Sequence, residues 1–229
     1  MFVIRHWTVK SALFLSLACF VSASAQAKEE FSRANQMLFD TDHLRSISEP
    51  TILHYSFKKT AADGTGFSDT IDVRITEVNE DGSKDVQLEY FTGDRRRYAP
   101  DAPSALGNPV IILYLQRDVN EMGRLTSGSW RYFQRRIKLA LEAIENVSPV
   151  RVSFEGREVD GREVRIAPYL DGPERDRFAD YAGKYYVFTL APDVPGYVFE
   201  IKSVVPGEAG NGAAVIEEVL SYTGQSPLN

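Results

Sequence analysis

Three stretches of the chain alternate apolar and polar residues with a period of two, the pattern of a strand that buries one face. Over residues 51–59, Leu53, Tyr55 and Phe57 fall on one side. Ile71, Val73 and Ile75 alternate with Thr70, Asp72, Arg74 and Thr76, and Val86, Leu88 and Tyr90 alternate with Asp85, Gln87 and Glu89. Asn79-Glu80-Asp81-Gly82-Ser83 separates the last two runs. Asp-Gly between alternating segments predicts a hairpin, because Gly accepts the positive φ of a tight turn.

Elsewhere the period lengthens to that of a helix. Phe31, Ala34, Met37 and Leu38, with Leu44 less regular, predict an N-terminal helix that gives way to irregular chain ending at Pro50. Asn108-Pro109 predicts a helix start, with Asn as cap and Pro in the first turn. Ile111 or Ile112, Leu115, Val119 and Met122 follow at helical spacing, and Gly123 is a candidate stop. A buried strand over 110–115 competes with this reading, but the polar continuation QRDVNEM favours the helix. A further helix begins after Ser129, with Trp130, Phe133, Ile137, Leu141 and Ile144 on one stripe and Arg131, Arg135, Lys138 and Glu142 opposite.

From Val150 the strands return, with Val152 and Phe154, then Val164 and Ile166, on alternating positions. A short helix over 174–182 closes at Gly183, an aromatic-rich strand runs over 184–190, and Pro195-Gly196 turns the chain into a strand over 197–205. The last strand, over 213–222, sets Ile216, Leu220 and Tyr222 against Glu217, Val219 and Ser221, and Glu218 breaks the pattern. Hairpin connections dominate and no βαβ rhythm occurs. The expectation is an α+β domain: a curved, largely antiparallel sheet of about eight strands, half-barrel-like, with helices packed on one side.

The first 27 residues change the picture of what the domain is for. Arg5, His6 and Lys10 make a basic start without an acid, residues 11–21 are an uncharged apolar run, and SASAQA places Ala25 and Ala27 before Lys28. These are the three parts of a secretory signal peptide, predicted to be cut after about Ala27. The apolar run is short for a membrane span, which needs roughly 20 apolar residues. An uncut anchor and a lipoprotein modified at Cys19 are the competing readings, and Ser16 stands where a lipoprotein signal usually has Leu. Cleavage leaves one domain over residues 28–229, periplasmic and with no membrane span of its own. Loss of Arg5 and Lys10 takes the net charge from −6 to −8, which disfavours non-specific nucleic-acid binding. The single Cys leaves with the signal, so the domain has no disulfide, thiolate ligand or Cys nucleophile.

No motif for chemistry stands out. His43 and His54 lack metal-site spacing, and Asp40, Asp42 and His43 read as a polar helix end. No Gly-x-Ser-x-Gly elbow exists, and a triad is recognised only by geometry. Gly64-Thr65-Gly66 lacks the Lys of a phosphate loop. Arg95-Arg96-Arg97 and the group Arg131, Arg135, Arg136 and Lys138 read first as solvated faces, with contact to anionic headgroups or an acidic partner as the functional alternative. No cofactor, metal or catalytic residue is assigned. Trp130, Phe133, Ile137, Tyr186, Phe188 and Phe199 are the candidate lining of an apolar cavity.

Together, the exported N-terminus, leading helix, hairpin over 71–90, mid-chain helices and late strands around Pro195-Gly196 resemble the half-barrel of LolA-like periplasmic lipoprotein carriers and of several uncharacterised exported bacterial proteins. The resemblance lies in element order and implies an apolar cavity that shelters acyl chains without catalysis. The leading expectation is a non-enzymatic periplasmic protein that binds a lipid or other apolar ligand. An envelope scaffold working through protein contacts and a hydrolase using two carboxylates are the alternatives.

Overall fold

The computed structural model describes residues 32–144, 147–207 and 214–228. The expected leader, Cys19 and Phe31 lie outside the described residues.

Nine strands form one antiparallel sheet in the order β4-β3-β2-β1-β9-β8-β7-β6-β5. In chain order they are β1 (Thr51–Ala61), β2 (Phe67–Val78), β3 (Lys84–Tyr90), β4 (Ala102–Ala105), β5 (Ser148–Phe154), β6 (Arg157–Ile166), β7 (Tyr185–Leu190), β8 (Val198–Pro206) and β9 (Ala214–Pro227). The helices are α1 (Arg33–Asn35), which runs into a π-helical turn (Gln36–Asp40), α2 (Val110–Thr126), α3 (Trp130–Glu142) and α4 (Ala179–Ala182). This is the α+β half-barrel expected from the alternation, with the first and last strands paired at its centre.

The hairpin forms in the expected register, Ile71 opposite Tyr90 and Ile75 opposite Val86. Gly82 takes φ +88°, and the Asp81 carboxylate accepts the Ser83 amide at 2.9 Å and its hydroxyl at 2.7 Å, which closes the turn locally. Curvature is visible at the other end. Phe154 on β5 and Tyr222 on β9 stand four strand positions apart, about 19 Å in a flat sheet, yet their ring centroids are 6.1 Å apart.

Three details depart from expectation. β4 is a ninth strand, only four residues long and carrying Pro103, so it has no alternation to read. α2 does not stop at Gly123 but runs to Thr126 and ends on Ser127 at φ +52°. A Cβ on Gly123 would sit 3.4 Å from the Gly128 carbonyl oxygen, so this glycine serves close approach of the following turn. β9 continues past Tyr222 to Pro227, because Gly224 at φ +146° carries the strand through a register shift opposite His54/Tyr55 and back onto β1.

The core lies between the sheet and α2 and α3. Leu53, Tyr55, Phe57, Ile71, Val73 and Ile75 face Val110, Ile111, Tyr114, Met122 and Phe133, all buried. Asn108 seats α2 on this surface. Its Oδ1 accepts the Val110 amide at 3.1 Å, while its Nδ2 donates to the Tyr55 hydroxyl at 2.8 Å and the Gly196 carbonyl at 2.9 Å. Gly196, at φ +75°, is held so close that a Cβ would meet Leu53 Cδ1 at 2.5 Å.

Candidate functional site

The concave side of the sheet is occupied by α2, which brings polar groups with it. Asp118 is fully buried and accepts from Lys184 Nζ at 2.5 Å and from the Tyr186 hydroxyl at 2.5 Å. The Tyr186 and Tyr169 hydroxyls lie 2.9 Å apart. Burial, reinforced by the Asp118 charge, pushes both tyrosine pKa values well above the usual range, so both remain protonated. A buried ion is tolerated when it is paired and its remaining lone pairs are filled, as here.

The six expected lining residues separate. Phe133, Tyr186 and Phe188 are fully buried and join in one aromatic chain through Tyr169, edge-on from Phe133 to Tyr169 (centroids 5.3 Å apart) and from Tyr169 to Tyr186 (6.4 Å), and near-parallel from Tyr186 to Phe188 (6.4 Å). Ile137 lies on α3 at the wall of a cleft. Trp130 is 41% exposed at the start of α3, with the Arg131 guanidinium 4.5 Å over its ring. Phe199 packs instead with the small cluster Val152, Val159, Ala191 and Val194.

Open volume flanks α2 on two sides. A cleft of about 610 Å³ runs between the π-helical turn, α2 and α3. Phe39, Ile112, Leu115, Val119, Ile137 and Leu141 make its apolar walls, and Arg131, Arg135 and Lys138 stand at its rim. Ser32 fixes the N-terminal wall, accepting the Asn35 amide at 3.1 Å and donating to the Leu141 carbonyl at 2.7 Å. Ile112 is 63% exposed and Phe39 40%, so apolar surface remains uncovered here.

The second cleft, about 670 Å³, lies on the other flank of α2, against β1–β3 and the segment after β3. Its wall includes Phe67, Tyr90, Phe91 and Tyr98 and five cations: Lys59, Arg95, Arg97, Arg117 and Arg124. Below it, Arg117 grips Glu218 at 2.5 and 2.9 Å. Arg124 grips Glu121 at 2.9 and 2.8 Å, and Lys59 reaches Glu121 at 3.2 Å and Glu218 at 3.5 Å. The Arg124 hydrogen bonds outweigh burial and bring Glu121 down to about 2. Burial acts to raise Glu218, but Arg117 more than offsets it and the pKa ends below the usual range. A two-carboxylate hydrolase needs one acid pushed up to act as proton donor. Both acids here are pushed the other way.

The two histidines of the described residues are hydrogen-bonded into the fold. His43 is buried, its Nε2 2.7 Å from the Met37 carbonyl and its Nδ1 accepting the Asn108 amide at 3.1 Å. Desolvation lowers its pKa, consistent with a neutral ring that donates from Nε2. His54 has Asp72 Oδ1 at 2.9 Å from Nδ1 and Ser226 Oγ at 2.9 Å from Nε2. This is the connectivity of a Ser-His-Asp relay, assembled by cross-strand pairing that one sequence cannot reveal. It stands on the face of β1 opposite Leu53, Tyr55 and Phe57, and neither cleft includes any of its members. A relay catalyses acyl transfer only beside a substrate cleft and oxyanion donors. The geometry here is that of a polar clasp across three strands.

Among the described residues no group of three or more His, Cys, Asp or Glu is placed to hold a metal ion, and no helix is long and apolar enough to cross a membrane.

No protein-family model matches the chain, and no curated protein matches it in sequence. Among solved structures it is similar to the Mycobacterium tuberculosis lipoprotein LppX, at 11% identity and a TM-score of 0.33, over 79% of this chain and 89% of that one. It is also similar to the Pseudomonas aeruginosa MucA/MucB complex, at 14% identity and a TM-score of 0.31, over 80% of this chain and 54% of that one. A LolA superfamily protein from Nitrosomonas europaea matches at 10% identity and a TM-score of 0.23, over 86% of this chain and 94% of that one.

Proposed function

We propose that this protein is a non-enzymatic binding domain of the bacterial envelope, exported by its leader, which holds an apolar chain with an anionic head in the cleft between α2 and α3. The observation that carries the reading is the cleft itself. Ligand sites are concave and mostly apolar, with a few polar groups that fix orientation, and uncovered apolar surface marks such sites. Six apolar side chains make the walls and three cations stand at the rim. Among the described ion pairs, Arg131 and Arg135 face no carboxylate, and Lys138 reaches only Glu142, at 3.6 Å. An acyl chain with a carboxylate or phosphate head matches that distribution. The filled interior supports placing the ligand beside α2 and not beneath the sheet, since entry there would require breaking the Asp118 and Glu218 ion pairs.

Native mass spectrometry of the protein purified from its host envelope tests this. A lipid-sized adduct that disappears in Ile112→Glu is the expected result. Lipid-free protein that also fails to take up added fatty acid, or a stoichiometric protein partner seated at Ile112 in place of lipid, would overturn it.

A further inference from the structure

The second cleft has no part in that reading, and its chemistry is different. Its distinguishing feature is an excess of fixed positive charge over an aromatic floor. Glu121 and Glu218 are already shared among Lys59, Arg117 and Arg124. Arg95 and Arg97 add two more cations, and neither has a carboxylate partner among the described ion pairs. Five cations against two carboxylates leave an excess of three positive charges in a chain whose overall charge is −6. Such an excess between low-dielectric walls concentrates anions.

The segment that carries Arg95 and Arg97 is built, not loose. The Thr92 amide and hydroxyl donate to Asp69 Oδ1 at 2.9 and 2.8 Å. A 3-10 turn (Gly93–Arg95) follows, and the Arg97 amide returns to the Tyr90 carbonyl at 2.9 Å. Arg96 turns away toward Glu89 at 3.8 Å, while Arg95 and Arg97 line the cleft; Arg97 Nη1 donates to the Arg96 carbonyl at 3.0 Å and the Asp94 carbonyl at 3.4 Å, which fixes the guanidinium and leaves its other nitrogens for a ligand. Arg95 lies with its guanidinium carbon 5.0 Å from the Phe67 ring centre, a cation–π contact that uses the guanidinium's face and not its N–H donors. At the floor Phe91 takes φ +61°, which is costly for a bulky side chain. That conformation holds its ring 5.0 Å from Phe57, 5.5 Å from Phe67 and 4.3 Å from Tyr90. At the rim Tyr98 is 89% exposed, a large ring with nothing packed over it.

We propose that this cleft is a second, independent binding site for a phosphate ester, with Arg95 and Arg97 as the guanidinium forks that hold the phosphate and Tyr98 as a lid on the adjoining group. A dianionic head fits the charge excess better than a single carboxylate. The same head group could come from a free phosphate ester or from a phosphorylated lipid, and the test separates these sources.

The experiment is calorimetric titration of the protein, expressed from its full sequence, with phenyl phosphate, with phenol, and with phosphatidylcholine vesicles with and without phosphatidic acid. Phenyl phosphate binding points to a free ester, and binding only to phosphatidic acid vesicles points to a headgroup. Either binding falls at least about tenfold in Arg95→Ala/Arg97→Ala, and its salt dependence becomes shallower. Both side chains are exposed, so the variant should melt like the parent. Ile112→Glu, on the other flank of α2, leaves phenyl phosphate binding unchanged, and the vesicle titrations are run in that background so that the lipid cleft does not contribute; failure here and failure of the lipid cleft are then separate outcomes. Absence of binding by either phosphate probe, binding of phenol equal to phenyl phosphate, or undiminished binding by the double variant would overturn the proposal.

Discussion

Arg117 on α2 and Glu218 on β9 meet fork to fork, at 2.5 and 2.9 Å, with the Glu218 side chain only 2% exposed. The pair ties α2 to β9, the central strand of the sheet. Removing one partner strands the other in a low-dielectric site. Arg117→Met should cost about 3–5 kcal/mol in denaturant unfolding, while Arg117→Met/Glu218→Leu should recover most of it, because two apolar side chains replace a pair instead of orphaning a charge.

Asn108 should be as sensitive for a different reason. Its side chain caps α2 and makes two buried hydrogen bonds, to Tyr55 and to Gly196. Asn108→Ala should cost about 3 kcal/mol, roughly one from the lost cap and the remainder from unsatisfied buried groups. Asn108→Asp should retain the cap yet stay destabilised, since it cannot donate to the Gly196 carbonyl. Chemical unfolding of both variants tests the partition.

The acids under the cationic cleft set a pH dependence. Glu121 has its pKa lowered to about 2 in the folded protein, against an ordinary value of 4.5, and Glu218 is lowered too. A depressed folded value means that the contribution is complete above the unfolded pKa and is lost as pH falls through the folded one. Stability should therefore decline from about pH 4.5 downward toward pH 2. In Glu121→Gln that decline should be shallower, which melting temperatures across the acid range would measure.

Ser226, His54 and Asp72 supply a direct check on whether this relay is catalytic. If the relay is a clasp, a serine-reactive fluorophosphonate leaves Ser226 unlabelled, and Ser226→Ala alters stability only slightly. Labelling at Ser226 that is abolished by His54→Ala would make it a nucleophile.

Much of the fold was legible because its strands bury one face. Leu53, Tyr55 and Phe57, or Ile71, Val73 and Ile75, announce themselves by alternation, and Asp81-Gly82 fixes their partner strand. The ion pairs were legible only as disturbances. Glu218 is the residue that breaks the β9 alternation, and it does so because it points at Arg117. Asp118 gave no such sign, since it sits in the polar run QRDVNEM, and only the structure shows it buried against Lys184 and Tyr186. An inward acid signals a partner, but not which one, since the partner is 101 residues away in the case of Arg117. Aromatic richness was the weakest guide. Phe133, Tyr186 and Phe188 are sequence-equivalent to cavity lining, and only packing distinguishes a wall from a filling. Arg95 and Arg97 resembled an ordinary charged loop because the turn that aims them past Arg96 depends on Asp69, on another strand.

Trp130 offers the most direct test of the lipid-binding cleft. It stands at the start of α3 beside the rim residue Arg131 and is the only Trp among residues 28–229. Titration with a brominated fatty acid, following Trp emission, should give saturable quenching that is lost in Ile112→Glu. Emission that is unchanged at saturating fatty acid, or quenched equally in the variant, would contradict a ligand seated between α2 and α3.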